Sequence, residues 1–210
     1  MKLPRIQWNS REEFGISPYK ELFIYYLKGR LEPGNRLFQS NFIGNWEEED
    51  DSILFFSSSG EQQIEKLLRR QPDLEYVDSY RMSYDHWLGE KFSTFEHGPF
   101  RIIPPWEVAE DRVDAFNDKL PILLDPGLVF GTGTHPTTRD CLEAMVLAAG
   151  SMQISSVLDL GTGTGLLALA AARLGCERVV GVDLNLLAAK TAGRNVRLNQ
   201  LEDRIVIAQG

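Results

Sequence analysis

Residues 159–165 read Asp-Leu-Gly-Thr-Gly-Thr-Gly and stand between an apolar strand-like run and an apolar helix-like run. Three glycines at alternate positions constrain the fold more than anything else in the chain. They let the backbone turn sharply from strand to helix, and they let a ligand reach the main chain without meeting a Cβ. The helix that opens at Leu166 directs its positive end and its free N–H groups at such a ligand, so an anionic or zwitterionic group is expected there. The pattern around the turn repeats. Ser156–Leu160 reads as a buried strand, Leu166–Leu174 as a nearly all-apolar helix, Arg178–Val182 as a strand, Leu186–Asn199 as a helix and Arg204–Ala208 as a third strand. Strands alternating with helices imply an α/β fold with a parallel sheet and right-handed crossovers. Gly193 inside the second helix costs about 1 kcal/mol relative to alanine and does not end it.

Upstream, Pro136 suits the first position of a helix, and Cys141, Leu142, Met145, Val146 and Ala149 form one stripe along 137–149. His135 is read as the structural or capping residue of that helix. Pro99, Pro104, Pro105, Pro121 and Pro126 stiffen the stretch before it, which also holds Trp106 and a short helix expected over Glu107–Asn117. Residues 99–126 are therefore read as a proline-rich linker, with the domain boundary near Gly98. Residues 1–98 read as a small α+β unit. Tyr19–Leu27 and Asp51–Ser57 are strands, Glu61–Arg70 is a helix with Ile64, Leu67 and Leu68 inward, and Leu74–Met82 is a strand with Leu74, Tyr76 and Val77 inward.

The chain is acidic, with 30 Asp and Glu against 22 Lys and Arg for a net charge of −8, so direct nucleic-acid binding is disfavoured and a basic protein partner suits it better. The run Glu47–Asp51 is read as a solvated turn between strands. No apolar run approaches the roughly eighteen residues of a membrane span, and no apolar segment follows Met1-Lys2-Leu3-Pro4-Arg5, so no membrane partner and a cytoplasmic location are expected. Cys141 and Cys176 sit in helix-like or helix-end patterns, which argues against a disulfide and against a cysteine zinc site. His86 and His97 have no ligand-spaced companions, and no metal is expected.

The chemistry follows from the turn and one carboxylate. A dinucleotide fingerprint needs Gly or Ala three residues after Gly163, where Leu166 stands, and a phosphate-cradling P-loop needs a lysine that the turn lacks. Asp183 closes the second strand, twenty-two residues beyond Gly161. A carboxylate at the end of the adjacent strand can accept both hydroxyl protons of a ribose. The pair asks for a nucleoside whose other end is an amino acid. Val157–Asp183 resembles the Rossmann-like class of S-adenosyl-L-methionine methyltransferases. Asp125-Pro-Gly-Leu-Val-Phe-Gly-Thr-Gly-Thr-His-Pro-Thr-Thr138 resembles the signature of the ribosomal protein L11 methyltransferase family, as does Phe100–Trp106, and the likeness covers roughly residues 74–208.

That resemblance implies an α/β Rossmann-like methyltransferase domain, 127–210, preceded by a small α+β, ferredoxin-like domain that holds the substrate. It implies S-adenosyl-L-methionine as cofactor and methylation of amino groups on a basic protein, ribosomal protein L11. Thr138, Gly161 and Asp183 match cofactor-binding positions, and Asp159, Gly163 and Gly165 belong to the same motif. Phe130, Thr132 and Thr134 would border the methyl group and the substrate. Thr162 and Thr164 replace the Cys and Ser usual in the family. Leu31–Asn45 shows no helical stripe, so the first helix of a ferredoxin-like domain is expected to be lost or shortened. The resemblance also implies about seven strands, with an Asn-containing motif after the fourth, whereas this sequence supplies three. A C-terminal truncation or fragment is therefore expected, with Ser156–Leu160 unpaired on one side. The alternatives are an inactive remnant acting as a protein-binding module, and a lysine methyltransferase of the same family with another protein substrate.

Overall fold

The computed structural model describes residues 19–32, 40–89, 92–108 and 118–210. The chain divides into two compact units, Ser17–Phe92 and Ser93–Gly210, the first eighteen residues lying outside the described ones.

The first unit contains β1 (Glu21–Lys28), β2 (Phe42–Glu48), β3 (Asp51–Phe56), α1 (Glu61–Arg70), β4 (Glu75–Ser83) and the single-turn α2 (Tyr84–Trp87). Its sheet has the order β2-β3-β1-β4 with every neighbour antiparallel, so β1 and β2 run the same way with β3 between them. Tyr25, Leu27, Leu54 and Phe56 face α1 and meet Ile64, Leu67 and Leu74. Burying Ile64 and Leu67 stabilises the packing by about 1.5–3 kcal/mol each. On the other face Phe55 sits edge-on to Trp46 and Trp87.

Three expectations for this unit meet the structure differently. Phe42–Glu48 is a strand that the alternation did not reveal, because Gly44, Asn45, Glu47 and Glu48 leave it little apolar signal and a bulge follows Phe42. The acidic run spans a hairpin rather than a turn alone: Glu47 and Glu48 end β2, Asp51 opens β3, and only Glu49, at φ 52, and Asp50 form the turn. In the strand after α1, Leu74 is buried, but Tyr76 and Val77 are each 46% exposed rather than inward. The ladder pairs Leu27 with Tyr76 and Tyr26 with Asp78, so Val77 is the extra residue of a bulge, and β4 is the outermost strand. The question of a helix in 31–45 rests largely on 33–39, which lie outside the described residues.

The second unit contains β5 (Phe95–His97), β6 (Phe100–Ile103), a 3-10 turn at Pro105–Glu107, β7 (Leu120–Leu123), α3 (Pro136–Ser151), β8 (Ser156–Leu160), α4 (Leu166–Arg173), β9 (Arg178–Asp183), α5 (Leu186–Leu198) and β10 (Ile205–Gln209). The described part of 99–126 is thus folded rather than a spacer. β6 pairs antiparallel with β5 and parallel with β7, and the division from the first unit falls between residues 92 and 93 instead of near Gly98. Two of its prolines lie outside the strands: Pro104 caps the 3-10 turn and Pro105 opens it. Most of the helix expected over Glu107–Asn117 falls on 109–117, outside the described residues.

The parallel sheet has the order β10-β9-β8, so β8 is an edge strand among the described residues. Helices α4 and α5 pack on one face, over Val179, Gly181 and Ile205. On the opposite face Leu158 (61%), Leu160 (74%) and Val206 (61%) are exposed. The reading of Ser156–Leu160 as a buried strand is corrected accordingly, since only Asp159 in it is buried. Alanines at 168 and 170–172 keep α4 slim, and Leu198 of α5 packs on its far side against Ile103 and Leu123. The two helices therefore lie between the parallel sheet and β6–β7. On α3 the inward stripe is Thr138, Leu142, Met145, Val146 and Ala149, and Cys141 is exposed. No described helix is long and apolar enough to cross a membrane.

Candidate functional site

The two glycine-rich segments that stand apart in sequence are stitched together. The Thr164 N–H donates to the Phe130 carbonyl at 3.0 Å, and the Thr164 hydroxyl donates to the Gly131 carbonyl at 2.6 Å. Gly163 sits beneath that seam at φ 55, where a Cβ would lie less than 3.0 Å from the Phe130 carbonyl oxygen. No residue with a side chain can occupy 163 without pushing the loops apart. Gly161, at φ 71, is the opposite case: it is exposed, and a Cβ there meets nothing within 4 Å. Its open side is where a ligand can lie against bare main chain.

Asp183 ends β9 beside this opening. Its Oδ2 accepts the Gly163 N–H and its Oδ1 the Asn185 N–H, both at 2.9 Å. Those bonds hold a half-buried carboxylate in one orientation and leave it lone pairs for further donors. Asp159 is directed differently. It is 8% exposed, and its Oδ2 accepts from the Thr162 hydroxyl at 2.7 Å and from the Ala168 N–H in the first turn of α4 at 3.2 Å. Burial holds its carboxyl above the ordinary 3.8, partly offset by those two hydrogen bonds.

The expectation of free N–H groups fails for the turn that leads into α4 and for the helix's first residue. Each amide from Gly161 to Leu166 has an acceptor within the chain: Val182 for 161 and 162, Asp183 for 163, Phe130 for 164, Thr162 for 165 and the Thr164 hydroxyl for 166. The turn spends its own donors on closure, and the positive end of the helix dipole still favours an anionic group there.

Phe130 is 62% exposed and lies edge-on to the His135 ring at 5.2 Å. Thr132 and Thr134 share a hydroxyl–hydroxyl hydrogen bond of 2.9 Å, and Arg139 fixes the loop by donating to the Gly133 carbonyl. His135 caps α3, its Nδ1 accepting the Thr137 N–H. Thr138 is buried in the first turn of that helix. Phe130, Gly161, Gly163 and Asp183 are thus gathered at one end of the sheet, with Gly165 behind them against Ala192.

Sequence reasoning passed over a second set of residues on α5. Asn195 and Asn199 are 0% and 1% exposed. The Asn195 carboxamide accepts the Asp125 N–H and donates to the carbonyls of Asp125 and Thr164. Asn199 does the same for the N–H and carbonyl of Leu123. Arg173 donates to Pro121 and Asn199, and burial pushes it down to about 10, so it is still charged at neutral pH. Arg194 pairs with buried Asp125 at 2.8 Å. The available signal was that Ala188, Ala192, Asn195 and Asn199 share one helical face, so polar residues fall on a buried stripe.

A family model described as ribosomal protein L11 methyltransferase matches residues 59–210. The chain belongs to the ribosomal protein L11 methyltransferase family. Members of the family use S-adenosyl-L-methionine as methyl donor. The ribosomal protein L11 methyltransferase of Halalkalibacterium halodurans is 46% identical over 110 residues, 51% of this chain and 33% of the relative. That of Carboxydothermus hydrogenoformans is 41% identical over 118 residues, covering 56% and 37%. A solved ribosomal protein L11 methylase from Lactobacillus delbrueckii subsp. bulgaricus has 30% identity over 57% of this chain and 56% of that one, with a TM-score of 0.45. The match therefore spans about a third of the length of these curated relatives. Within the family match lie both glycine-rich segments, Asp183 and the two asparagines of α5.

Proposed function

We propose that this chain binds S-adenosyl-L-methionine at the 161–165 turn and serves in methyl transfer to amino groups of ribosomal protein L11, in the cytoplasm. The observation that carries the reading is the bare, open face of Gly161 beside the fixed carboxylate of Asp183. Together they fit a nucleoside laid across the end of the sheet, its ribose hydroxyls donating to Asp183. When bound, the cofactor supplies an electrophilic methyl group to a neutral amine. A lysine, with a reference pKa near 10.4, must lose a proton first. Phe130, Thr132 and Thr134 line the approach, excluding water and aligning the amine, and alignment supplies most of the rate without a strong base. Asp159 shapes the turn by tying Thr162 to α4 rather than by touching the ligand, and Thr138 supports the wall from α3. The antiparallel order β2-β3-β1-β4 supports reading the first unit as a ferredoxin-like domain that presents the protein substrate.

Calorimetric titration with S-adenosylhomocysteine tests the cofactor half of this proposal. A saturable heat is expected, and none on a folded sample overturns it in favour of an inert protein-binding module. Incubation with radiolabelled methyl donor and ribosomal subunits tests the substrate, with label expected on L11. Label on another protein's lysine instead reassigns the substrate.

A further inference from the structure

We propose that Asn195 is a positioning residue that locks the two cofactor loops into one unit, an inference that rests on the cofactor reading above. Its carboxamide has two N–H donors, one on the Asp125 carbonyl and one on the Thr164 carbonyl, 2.9 and 2.8 Å away. Its oxygen takes the Asp125 N–H at 2.9 Å.

Asp125 is where the chain leaves β7 toward the Phe130–Thr134 loop, and its carboxylate accepts the Gly127 N–H at the loop's start. That loop meets the glycine turn through Thr164, which donates to Phe130 and Gly131. Asn195 then returns from Thr164 to Asp125. The result is a closed circuit of hydrogen bonds with the ligand-facing main chain on its rim. In a buried site a carboxamide is the small side chain that offers both donors and an acceptor in one plane. Aspartate at 195 would face two carbonyls with no donor, and leucine would strand three polar main-chain groups.

Asn199, one turn later, is the internal contrast. It is as deeply buried and makes four side-chain hydrogen bonds to the three of Asn195, but its partners are Leu123, the Asn195 carbonyl and Arg173, all in the scaffold. A residue that merely holds the fold should behave like Asn199. One that sets the site should not.

The test compares N195S and N199S in the whole chain, with folding checked by circular dichroism and S-adenosylhomocysteine affinity measured by calorimetry. N195S is expected to bind at least tenfold more weakly than the unmodified chain, and N199S within threefold of it. Equal effects in the two variants, or no effect in N195S, overturn the proposal. If N195S fails to fold, amide hydrogen exchange of the unmodified chain decides. The ligand is expected to slow exchange at Asp125, whose N–H is held by Asn195, at least tenfold more than at Leu123, whose N–H is held by Asn199. Equal slowing at both amides, or none, overturns it. If the unmodified chain shows no binding at all, the proposed function falls and takes this inference with it, whereas binding that N195S leaves intact removes this inference alone.

Discussion

Replacing Gly163 and Gly161 separately with alanine distinguishes the two tasks assigned to the glycine turn. Both residues have positive φ, 55 and 71, so alanine at either is strained by about 1–2 kcal/mol. At 161 nothing lies within 4 Å of the new methyl, and the strain is the whole cost to the fold. At 163 the methyl overlaps the Phe130 carbonyl oxygen, and relief requires the loop to retreat. Retreat loses the two hydrogen bonds from Thr164, worth roughly 1 kcal/mol each. G163A is therefore expected to be about 3–4 kcal/mol less stable than the unmodified chain and about 2 kcal/mol less stable than G161A. At roughly 4 °C per kcal/mol for a unit of this size, its melting midpoint should fall about 8 °C below that of G161A. Binding should respond differently. G161A puts a methyl on the ligand's side of the turn and should lower S-adenosylhomocysteine affinity at least tenfold while melting only slightly early. Thermal denaturation followed by circular dichroism, with calorimetry on the same samples, reads both. Midpoints for the two variants within about 2 °C of each other would refute the claim that Gly163 is needed for the seam between the loops.

D183A removes the expected acceptor of the ribose hydroxyls, and the lost charge-assisted hydrogen bonds predict a ten- to hundredfold loss of S-adenosylhomocysteine affinity; unchanged affinity by titration would place the nucleoside elsewhere. D159N addresses pH. The folded state holds the Asp159 proton more tightly than the unfolded chain does, so the stability due to this group is greatest below its ordinary 3.8 and is lost as pH rises through the folded value. Asparagine keeps an acceptor for Thr162 and Ala168 without that titration. The melting midpoint of D159N minus that of the unmodified chain should therefore climb as pH rises from about 4 and then level off, and a difference independent of pH between about 4 and 7 contradicts the assignment.

The βα rhythm of the second unit was legible because each element carries its own period. Helix α4 is apolar almost throughout, β9 is a β-branched run, and Pro136 marks a helix start. The first unit was less so: β2 has too few apolar residues to alternate, and in β4 a bulge at Val77 breaks the alternation that had turned Tyr76 and Val77 inward. Prolines between 99 and 126 suggested a spacer, because composition records the donors a segment lacks and not the strands it still pairs.

Sequence by itself determined that a strand, a three-glycine turn, a helix and a second strand ending in Asp183 follow one another, since period and glycine spacing are local properties of the chain. It also supplied the family likeness of Asp125–Thr138. Only the tertiary structure decided what each glycine is for. Gly161 faces open space, while Gly163 lies under a carbonyl contributed by a loop thirty-three residues away. The same holds for Asn195 and Asn199: hydrogen-bond partners seventy and seventy-six residues away are set by how helix and strand pack, and no local pattern encodes that distance.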